Sequence, residues 1–564
     1  MHRVSWPKLA VLVVGAMFAL RLALALRPGI WADEIFSLAM ATGHSLEHPA
    51  READPRMGDF VEPRAAEPPA ALRRYLQHET PPVGLDRVVR AVLLSDTSPP
   101  AYYLILNGWT RAFGTGDAAL KLLSVAWASL TLPFIWLLGR DLRGRRMAWS
   151  AAMLFALSPV SLFYSLEGRM YSQVWFVAAA LGWLTLRLER RGARPGGLLL
   201  WAVVAGFGLL THYFFLFVVL AFGAWLFLRP RSLPRASVAA LAALTALLVT
   251  PWYLEVPASL SRWRVSGDWL AAPLRWPEVA TRPFELAWSL LAGGSHWGGS
   301  PLVDGALAAA YLGLGLWILL RGRLRRMFAR PYLLLWAWVA ATVLGVLAFD
   351  LLRDTSASRM PRYVLAGFPA AMLLAALAMR QLRPAANAAF LGLVALAWTA
   401  GAWPIVFQRA RPQAAYPTLI ARLESWARPS DLILVHSIPS GVLGMARYLH
   451  RDLPLASWIA PLGVRQVPDD LERLLAGRRR VALVQIHSLA RPSPAEPWLR
   501  EHARLVRREA YIGPLDSLTT DLEALPADHA TALREHRLIE IFYFEPREAE
   551  GFVPGAGPAR SRRR

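Results

Sequence analysis

Over its first 410 residues the chain alternates between long apolar runs and short polar connections. A helix needs about 20 mostly apolar residues to cross the hydrocarbon core of a bilayer. About eleven runs approach that length, so the pattern predicts a polytopic α-helical membrane protein. The predicted spans are 9–28, 119–139, 147–165, 170–187, 197–213, 214–228, 236–254, 302–320, 331–352, 363–380 and 385–407.

Two apolar segments, 98–114 and 1–28, each allow more than one interpretation. The segment "SPPAYYLILNGWTRAFG" (98–114) is short, opens with two prolines and carries Asn107 and Arg111, which favours an amphipathic helix on the outer membrane surface. Residues 1–28 resemble a signal peptide, but Arg21 and the length of the run favour a retained helix. An arginine inside a span is costly, so we expect Arg21 to face a partner or water.

After residue 410 the pattern changes to short β-type runs separated by amphipathic helical stretches. This alternation predicts a soluble α/β domain with a partly parallel sheet over 411–550, followed by a disordered basic tail over 551–564. Acceptor recognition and a purely structural role are both open for this domain. Its predicted strands are 430–437, 479–488 and 539–546, and its predicted helices are 416–427 and 468–477.

Arginine-rich connections occur at every second loop, and they predict the orientation of the chain. By the positive-inside rule these loops and the N-terminus are cytoplasmic. The long first loop, 29–118, and the C-terminal domain then lie outside, in the periplasm or the extracellular space, and the chain is a multi-pass protein of the inner (plasma) membrane. The arginine-rich loops are 140–146, 187–197, 229–235, 321–330 and 379–384.

Composition narrows the function classes. A net charge of +22 raises nucleic-acid binding as an alternative, but the arginines fall between apolar runs and do not form one basic face. The chain has no cysteine, which excludes disulfides and thiolate metal sites. No histidine and carboxylate cluster has metal-ligand spacing, so we expect neither a metal nor another cofactor.

Carboxylates, arginines and tyrosines collect at the outer ends of the predicted spans. Arginine binds phosphate through a planar fork, and tyrosine at the membrane interface adds a hydroxyl donor. A neighbouring carboxylate can act as a general base, so the combination indicates group transfer from a lipid phosphate. The candidate site residues are Asp33, Glu34, Tyr102, Tyr103, Glu167, Arg169, Tyr171, His212, Tyr213, Arg359, Arg362 and Tyr363.

Six motifs in one order also resemble the GT-C membrane glycosyltransferases of the glycosyltransferase family 39 type. Relatives of that type are the protein O-mannosyltransferases and the lipid A aminoarabinose transferases. The chain has Ser98 where the family commonly has histidine, and Gly168 where alanine is usual. The motifs, which lie within about 9–380, are "WADEIFSL", "SPPAYYLILNGW" with "FGTGDAALKLLSV", "LGRDLRGRRMA", "ALSPVSLFYSLEGRMYS", "LLTHYFFLF" and "SRMPRYVLAGFPA".

The resemblance implies a polyprenyl-phosphate-linked sugar donor and a glycan, lipid or protein acceptor on the extracytoplasmic face, without a required metal. Asp33 matches the family's acid after the first helix and is the predicted general base, with Glu34 as its catalytic neighbour. Displacement by a single base would invert the anomeric centre. We expect Arg359, Arg362 and Tyr363 to bind the donor phosphate, with Pro361 beginning a helical turn.

Structural roles remain open for each of these residues. Acids often end a membrane helix, arginines anchor spans at the interface, and His212 fits an aromatic belt. Glu167 and Arg169 are predicted substrate-binding residues, with the tyrosines and His212, but they fit equally an ion pair that fixes a loop. A flippase or transporter of lipid-linked sugars and a membrane receptor are the competing classes. A transporter would place charges near the midplane, so the nearly uncharged spans favour an enzyme.

Overall fold

The structure, a computed structural model, describes most of the chain. Of the predicted basic tail, only Phe552 is among the described residues. The described residues are 6–48, 50–95, 98–192, 194–228, 233–262, 264–265, 271, 273–292, 301–407, 416–486, 493–512, 517–520, 537–547 and 552.

Helices dominate the chain up to residue 407, and a mixed sheet follows. The α-helices are α1 (Trp6–Ala25), α2 (Ala32–Ala41), α3 (Pro69–Arg73), α4 (Leu85–Ser95), α5 (Ala101–Phe113), α6 (Asp117–Arg143), α7 (Arg145–Leu157), α8 (Pro159–Tyr164), α9 (Tyr171–Arg191), α10 (Pro195–Leu209), α11 (Leu216–Phe227), α12 (Arg235–Leu260), α13 (Trp276–Ala292), α14 (Pro301–Leu320), α15 (Leu324–Met327), α16 (Leu333–Arg353), α17 (Phe368–Met379), α18 (Pro384–Phe407), α19 (Tyr416–Trp426), α20 (Pro439–Tyr448), α21 (Asp469–Leu475) and α22 (Ala495–His502). The strands are β1 (Leu432–His436), β2 (Leu455–Trp458), β3 (Val481–Ile486), β4 (Ala503–Ile512), β5 (Ser517–Thr520) and β6 (Arg537–Pro546).

Seven helices of the described chain are long and apolar enough to cross a membrane, which confirms the predicted polytopic fold class. The other four predicted spans are helical too, as α7 with α8, α9, α10 and α11, but they are shorter, broken or more polar. The count of eleven spans therefore stays a prediction. The seven are 6–25, 117–143, 235–260, 302–320, 330–353, 361–379 and 384–407.

In the membrane region the structure adds a helix, α13, that the sequence pattern did not predict, and it shows the partners of Arg21. The pattern did not predict α13, because Pro277, Pro283 and three charged residues interrupt its apolar positions. Arg21 of α1 is fully buried, and its guanidinium donates hydrogen bonds to Ser165 Oγ (3.1 Å), Ser161 Oγ (3.0 Å) and two backbone carbonyls. These bonds meet the expectation that Arg21 faces a partner, and they hold α1 against the α7–α8 region.

The arginine-rich loops predicted to be cytoplasmic meet one another at one end of the helices. Arg190 donates to the carbonyl of Asp141 at 2.7 Å, which joins the first two of these loops. Arg143 donates to Tyr332 Oη at 2.9 Å, and Arg323 donates to the carbonyl of Gln381 at 2.5 Å. These contacts gather four of the five loops on one side, and their cytoplasmic location stays a prediction.

The first loop is folded, and it packs against the C-terminal region. The 98–114 segment forms α5, whose buried face carries Tyr102, Tyr103 and Asn107, so the predicted helix is confirmed. Its position on the membrane surface stays a prediction. Glu67 and Leu455 exchange backbone hydrogen bonds of 2.8 and 3.0 Å, which adds a residue of the first loop to the edge of β2.

The C-terminal sheet has the order β2-β1-β3-β6-β4-β5. Strands β2, β1 and β3 are parallel, and β6 pairs antiparallel with both β3 and β4. The sheet is therefore partly parallel, as predicted. β1 and β3 are buried on both faces, which explains their continuous apolar sequences.

Candidate active site

The candidate general base lies in the first turn of α2, directly after the chain leaves the first membrane helix. α1 ends at Ala25, and Gly29 turns the chain with φ of 114°, a conformation that favours glycine. α2 then begins at Ala32, so Asp33 and Glu34 occupy its first turn. Carboxylates are stabilised there by the partial positive charge of a helix N-terminus.

Two backbone amides hold the carboxylate of Glu34. Its Oε2 accepts from the Trp31 amide at 2.9 Å, which is the back-bond of a capping box. Its Oε1 accepts from the Gly168 amide at 2.6 Å, and the side chain is fully buried. A Cβ at Gly168 would lie 3.1 Å from Oε1, so this position is tight. The bond from Gly168 joins α2 to the loop between α8 and α9.

Asp33 faces an arginine from the far side of the sequence. Arg362 Nη1 donates to Asp33 Oδ2 at 3.0 Å, across 329 positions of the chain. The Arg362 guanidinium also lies over the Trp31 ring, 5.8 Å from its centre, and over the Tyr363 ring at 5.6 Å. Pro361 begins a 3₁₀ helix over Pro361–Gly367 that leads into α17, as predicted from the sequence.

Glu167 and Arg169 complete this cluster from the loop before α9. Glu167 Oε1 accepts from the indole Nε1 of Trp31 at 3.1 Å. Arg169 Nη1 donates to Ser37 Oγ at 2.9 Å, to Tyr103 Oη at 3.1 Å and to the Asp33 carbonyl at 3.3 Å. Both side chains fasten α2 to this loop.

An aromatic wall extends from Arg362. The rings of Tyr171 and His212 lie 6.3 Å apart, and the rings of His212 and Tyr363 lie 5.8 Å apart. Tyr102 and Tyr103 stack edge to face on α5, at 5.5 Å. Burial raises the pKa of the Tyr102 hydroxyl above its ordinary value, so this group is neutral.

Two predicted site residues form hydrogen bonds with helices outside the Asp33 cluster. Arg359 Nη2 donates to Glu278 Oε2 of α13 at 2.8 Å, and this hydrogen bond lowers the pKa of Glu278. Tyr213 Oη accepts from the indole of Trp252 on α12 at 3.2 Å. The structure therefore brings Arg362 and Tyr363, but not Arg359, into contact with the Asp33 cluster in the part of the chain that it describes.

Exposure separates the residues that can meet a substrate from those that support them. The side chains of Asp33 and Arg362 are 26% and 18% accessible. Glu34, Glu167 and Tyr103 are at most 1% accessible. Among the described residues no three histidine or carboxylate side chains form a metal-binding group. The accessible pair is thus one carboxylate and one guanidinium, which together suit proton transfer beside an anionic group.

Sequence reasoning missed several residues of this region. Trp31 lay inside a motif, but nothing in the pattern indicated that its indole bridges Arg362 and Glu167. A hydrogen-bonded network beside Gly29 joins Asp117 to Arg447 and Tyr448. No sequence signal indicated it, because Asp117 lies about 330 positions from the other two residues.

Comparison with known proteins supports the resemblance seen in the motifs. Residues 97–254 match the sequence model of the dolichyl-phosphate-mannose-protein mannosyltransferase family. This match covers the 98–114 segment, the α8–α9 loop and the "THYFF" motif, and it confirms the predicted resemblance to membrane glycosyltransferases. No curated protein matches the chain.

Solved structures give weaker likenesses. The ArnT structure from Cupriavidus metallidurans in the apo state aligns with a TM-score of 0.49 at 13% identity, covering 94% of this chain and 97% of ArnT. The same protein bound to undecaprenyl phosphate gives 0.48 at 14% identity, covering 95% and 98%. The oligosaccharyltransferase AglB from Archaeoglobus fulgidus, in complex with an inhibitory peptide and a dolichol-phosphate, gives 0.45 at 12% identity, covering 93% and 75%. At such scores these likenesses carry no further argument.

Proposed function

We propose that this multi-pass membrane protein is a glycosyltransferase that takes a sugar from a polyprenyl-phosphate donor and passes it to an acceptor on the extracytoplasmic face. The observation that carries the proposal is the accessible Asp33–Arg362 pair, which lies just after the C-terminal end of the first membrane helix. The family match over 97–254 supports the reaction class.

In this proposal Asp33 takes the proton of an acceptor hydroxyl or amine as its oxygen or nitrogen attacks the anomeric carbon. The bond from that carbon to the phosphate oxygen breaks, and the polyprenyl phosphate leaves with the bonding electrons. Attack opposite to the leaving group inverts the anomeric centre. Asp33 then releases the proton to water.

Arg362 is the proposed ligand of the donor phosphate, with Tyr363 beside it. Arg362 lies at the start of the candidate membrane span 361–379. A residue at the end of a span lies at the depth expected for a lipid phosphate. Donors aimed at the leaving oxygen stabilise the charge that develops there and remove the need for a general acid. Because Arg359 pairs with Glu278, we assign it a supporting role at α13.

Glu34, Glu167 and Arg169 are proposed to position Asp33. Their bonds run to backbone amides, to Trp31 and to Ser37, and they define where the first turn of α2 lies. His212 is proposed to line the sugar and acceptor region, and the buried Tyr102, Tyr103 and Tyr171 are proposed to support it from behind. Tyr213, which accepts a hydrogen bond from Trp252 of α12, is proposed to support this region.

The proposed topology puts the N-terminus and the arginine-rich loops in the cytoplasm, and the first loop and the C-terminal domain outside, at the inner (plasma) membrane. Contacts between four of the arginine-rich loops at one end of the helices support this arrangement. Contacts of the first loop with the C-terminal sheet support placing these two parts on the same side.

The test is sugar transfer by the full chain in nanodiscs, with a panel of polyprenyl-phosphate sugars and release of polyprenyl phosphate as the readout. Wild type should release polyprenyl phosphate from at least one donor and give a product of inverted anomeric configuration by NMR. A product of retained configuration would contradict the single-base mechanism. Transbilayer movement of the labelled donor in proteoliposomes, without any release, would favour the flippase class.

A further inference from the structure

The segment that leads into Asp33 is held by side chains from outside it at every backbone amide from 29 to 31. The Gly29 amide donates to Asp117 Oδ2 at 2.6 Å, and the Ile30 amide donates to Tyr448 Oη at 2.9 Å. The Trp31 amide donates to Glu34 Oε2, as described above. Asp117 and Tyr448, the partners of the first two amides, belong to one hydrogen-bonded network.

That network joins the C-terminal region to the first helix of the membrane core that follows the loop. Tyr448 Oη donates to Asp117 Oδ2 at 2.5 Å while it accepts from Ile30. Arg447 donates from Nε and Nη2 to Asp117 Oδ1 at 2.8 and 2.7 Å, and from Nη2 to the Thr115 carbonyl at 2.7 Å. A fork of this kind on one carboxylate fixes geometry as well as charge.

The network is mostly buried, at the side of a cavity of about 300 Å³ that its three residues help to line, so its bonds can fix position. Tyr448 is 8% accessible, and the side chains of Arg447 and Asp117 are 14% and 11% accessible. Ile30 is fully buried, so its amide needs a partner inside the protein, which Tyr448 provides.

We propose that Tyr448 is a positioning residue, through which the C-terminal region holds the 29–32 segment and so the general base Asp33. The inference rests on the proposed function for its kinetic part. A free 29–32 segment would let the first turn of α2 shift relative to Arg362. Small displacements of a reacting group reduce the rate of reaction more than they reduce binding of a donor held elsewhere.

The matched pair of variants is Tyr448→Phe and Tyr416→Phe. Tyr416 of α19 stacks on Tyr448 with ring centres 6.1 Å apart, and it is 3% accessible. In the described chain the Tyr416 hydroxyl makes no side-chain hydrogen bond, so its removal leaves the network intact. Each change deletes one hydroxyl from the same aromatic stack.

The first readout is hydrogen–deuterium exchange of the full chain, which does not depend on the enzyme's activity. Peptides that cover 27–36 should exchange faster in Tyr448→Phe and unchanged in Tyr416→Phe, at equal melting temperatures. Equal exchange in both variants would overturn the proposal, and so would faster exchange spread over the whole C-terminal region.

The second readout is steady-state transfer. In Tyr448→Phe the 29–32 segment loses the hydrogen bond from the Ile30 amide, and we expect kcat to fall about three- to tenfold with donor affinity unchanged. A rise in donor KM at unchanged kcat would contradict positioning of the base. If wild type transfers no sugar, the proposed function fails, and the exchange experiment alone still decides whether Tyr448 holds the segment.

Discussion

Removal of Arg362 tests the donor-phosphate contact most sharply, because the chain provides a control arginine three positions away. Arg362 Nη1 lies 3.0 Å from Asp33 Oδ2, and its side chain keeps 18% of its surface accessible. A charge-assisted hydrogen bond to a phosphate contributes about 1.5–3 kcal/mol. Arg362→Ala should therefore weaken donor binding by roughly one to two decades.

Lysine at position 362 should restore only part of this affinity, because it keeps the charge but loses the planar fork. Arg359→Ala is the control. Arg359 pairs with Glu278 at 2.8 Å in a partly exposed salt bridge, and exposed pairs of this kind contribute little to stability. Its loss should change donor affinity less than about fivefold.

The assay is equilibrium binding of a polyprenyl-phosphate sugar to the three variants and wild type in nanodiscs, with uncharged polyprenol as the ligand control. Polyprenol binding should be equal in all four proteins. The reasoning is refuted if Arg362→Ala binds the donor as wild type does, or if Arg359→Ala loses as much affinity as Arg362→Ala.

Three further predictions concern the support of Asp33, the topology and the stability in acid. Glu34→Gln should lower the melting temperature measurably, because the NH₂ group of glutamine cannot accept a hydrogen bond and so the bond from either the Trp31 or the Gly168 amide is lost. Lost transfer at an unchanged melting temperature would instead assign Glu34 a direct catalytic role. Protease added to intact spheroplasts should remove the C-terminal region, whereas protection there, with cleavage only in inverted vesicles, would contradict the proposed orientation. Burial raises the pKa of Asp59, but hydrogen bonds from Arg90, Ser45 and the Asp54 amide outweigh it and lower that pKa to about 2. The folded-state pKa of Asp59 lies below the unfolded value, so Asp59 stabilises the fold above about pH 4, and this contribution is lost as pH falls towards 2. Asp59→Asn should therefore flatten the dependence of the melting temperature on pH between about 4 and 2. An unchanged slope would contradict this prediction.

The sequence predicted the membrane helices well, because crossing a bilayer imposes a local requirement for about 20 apolar residues. It failed at α13, where Pro283 lies inside a helix and charged residues interrupt the apolar run. In the C-terminal region it predicted β1 and β3, whose two buried faces give continuous apolar runs. It missed β2, a four-residue strand defined by its pairing with β1, and α20, which packs against α2 and α3 of the first loop.

The candidate site shows the same division. Asp33 could be predicted because an acid follows a membrane helix within a recognisable motif. Its contact with Arg362 could not, since the two residues are 329 positions apart and only the folded bundle joins them. The sequence also could not predict that Arg359 and Arg362 have different partners, because a 3₁₀ turn beginning at Pro361 separates the two residues.

The central claim is that Asp33 accepts the acceptor's proton, and single-turnover transfer by Asp33→Asn tests it most directly. Asparagine keeps the shape of the side chain and removes the basic oxygen. With donor prebound at saturation, the transfer rate should fall by about 10²–10⁴-fold while donor affinity and melting temperature stay near those of wild type. A single-turnover rate within about threefold of wild type would contradict the claim, because general-base removal costs far more than that.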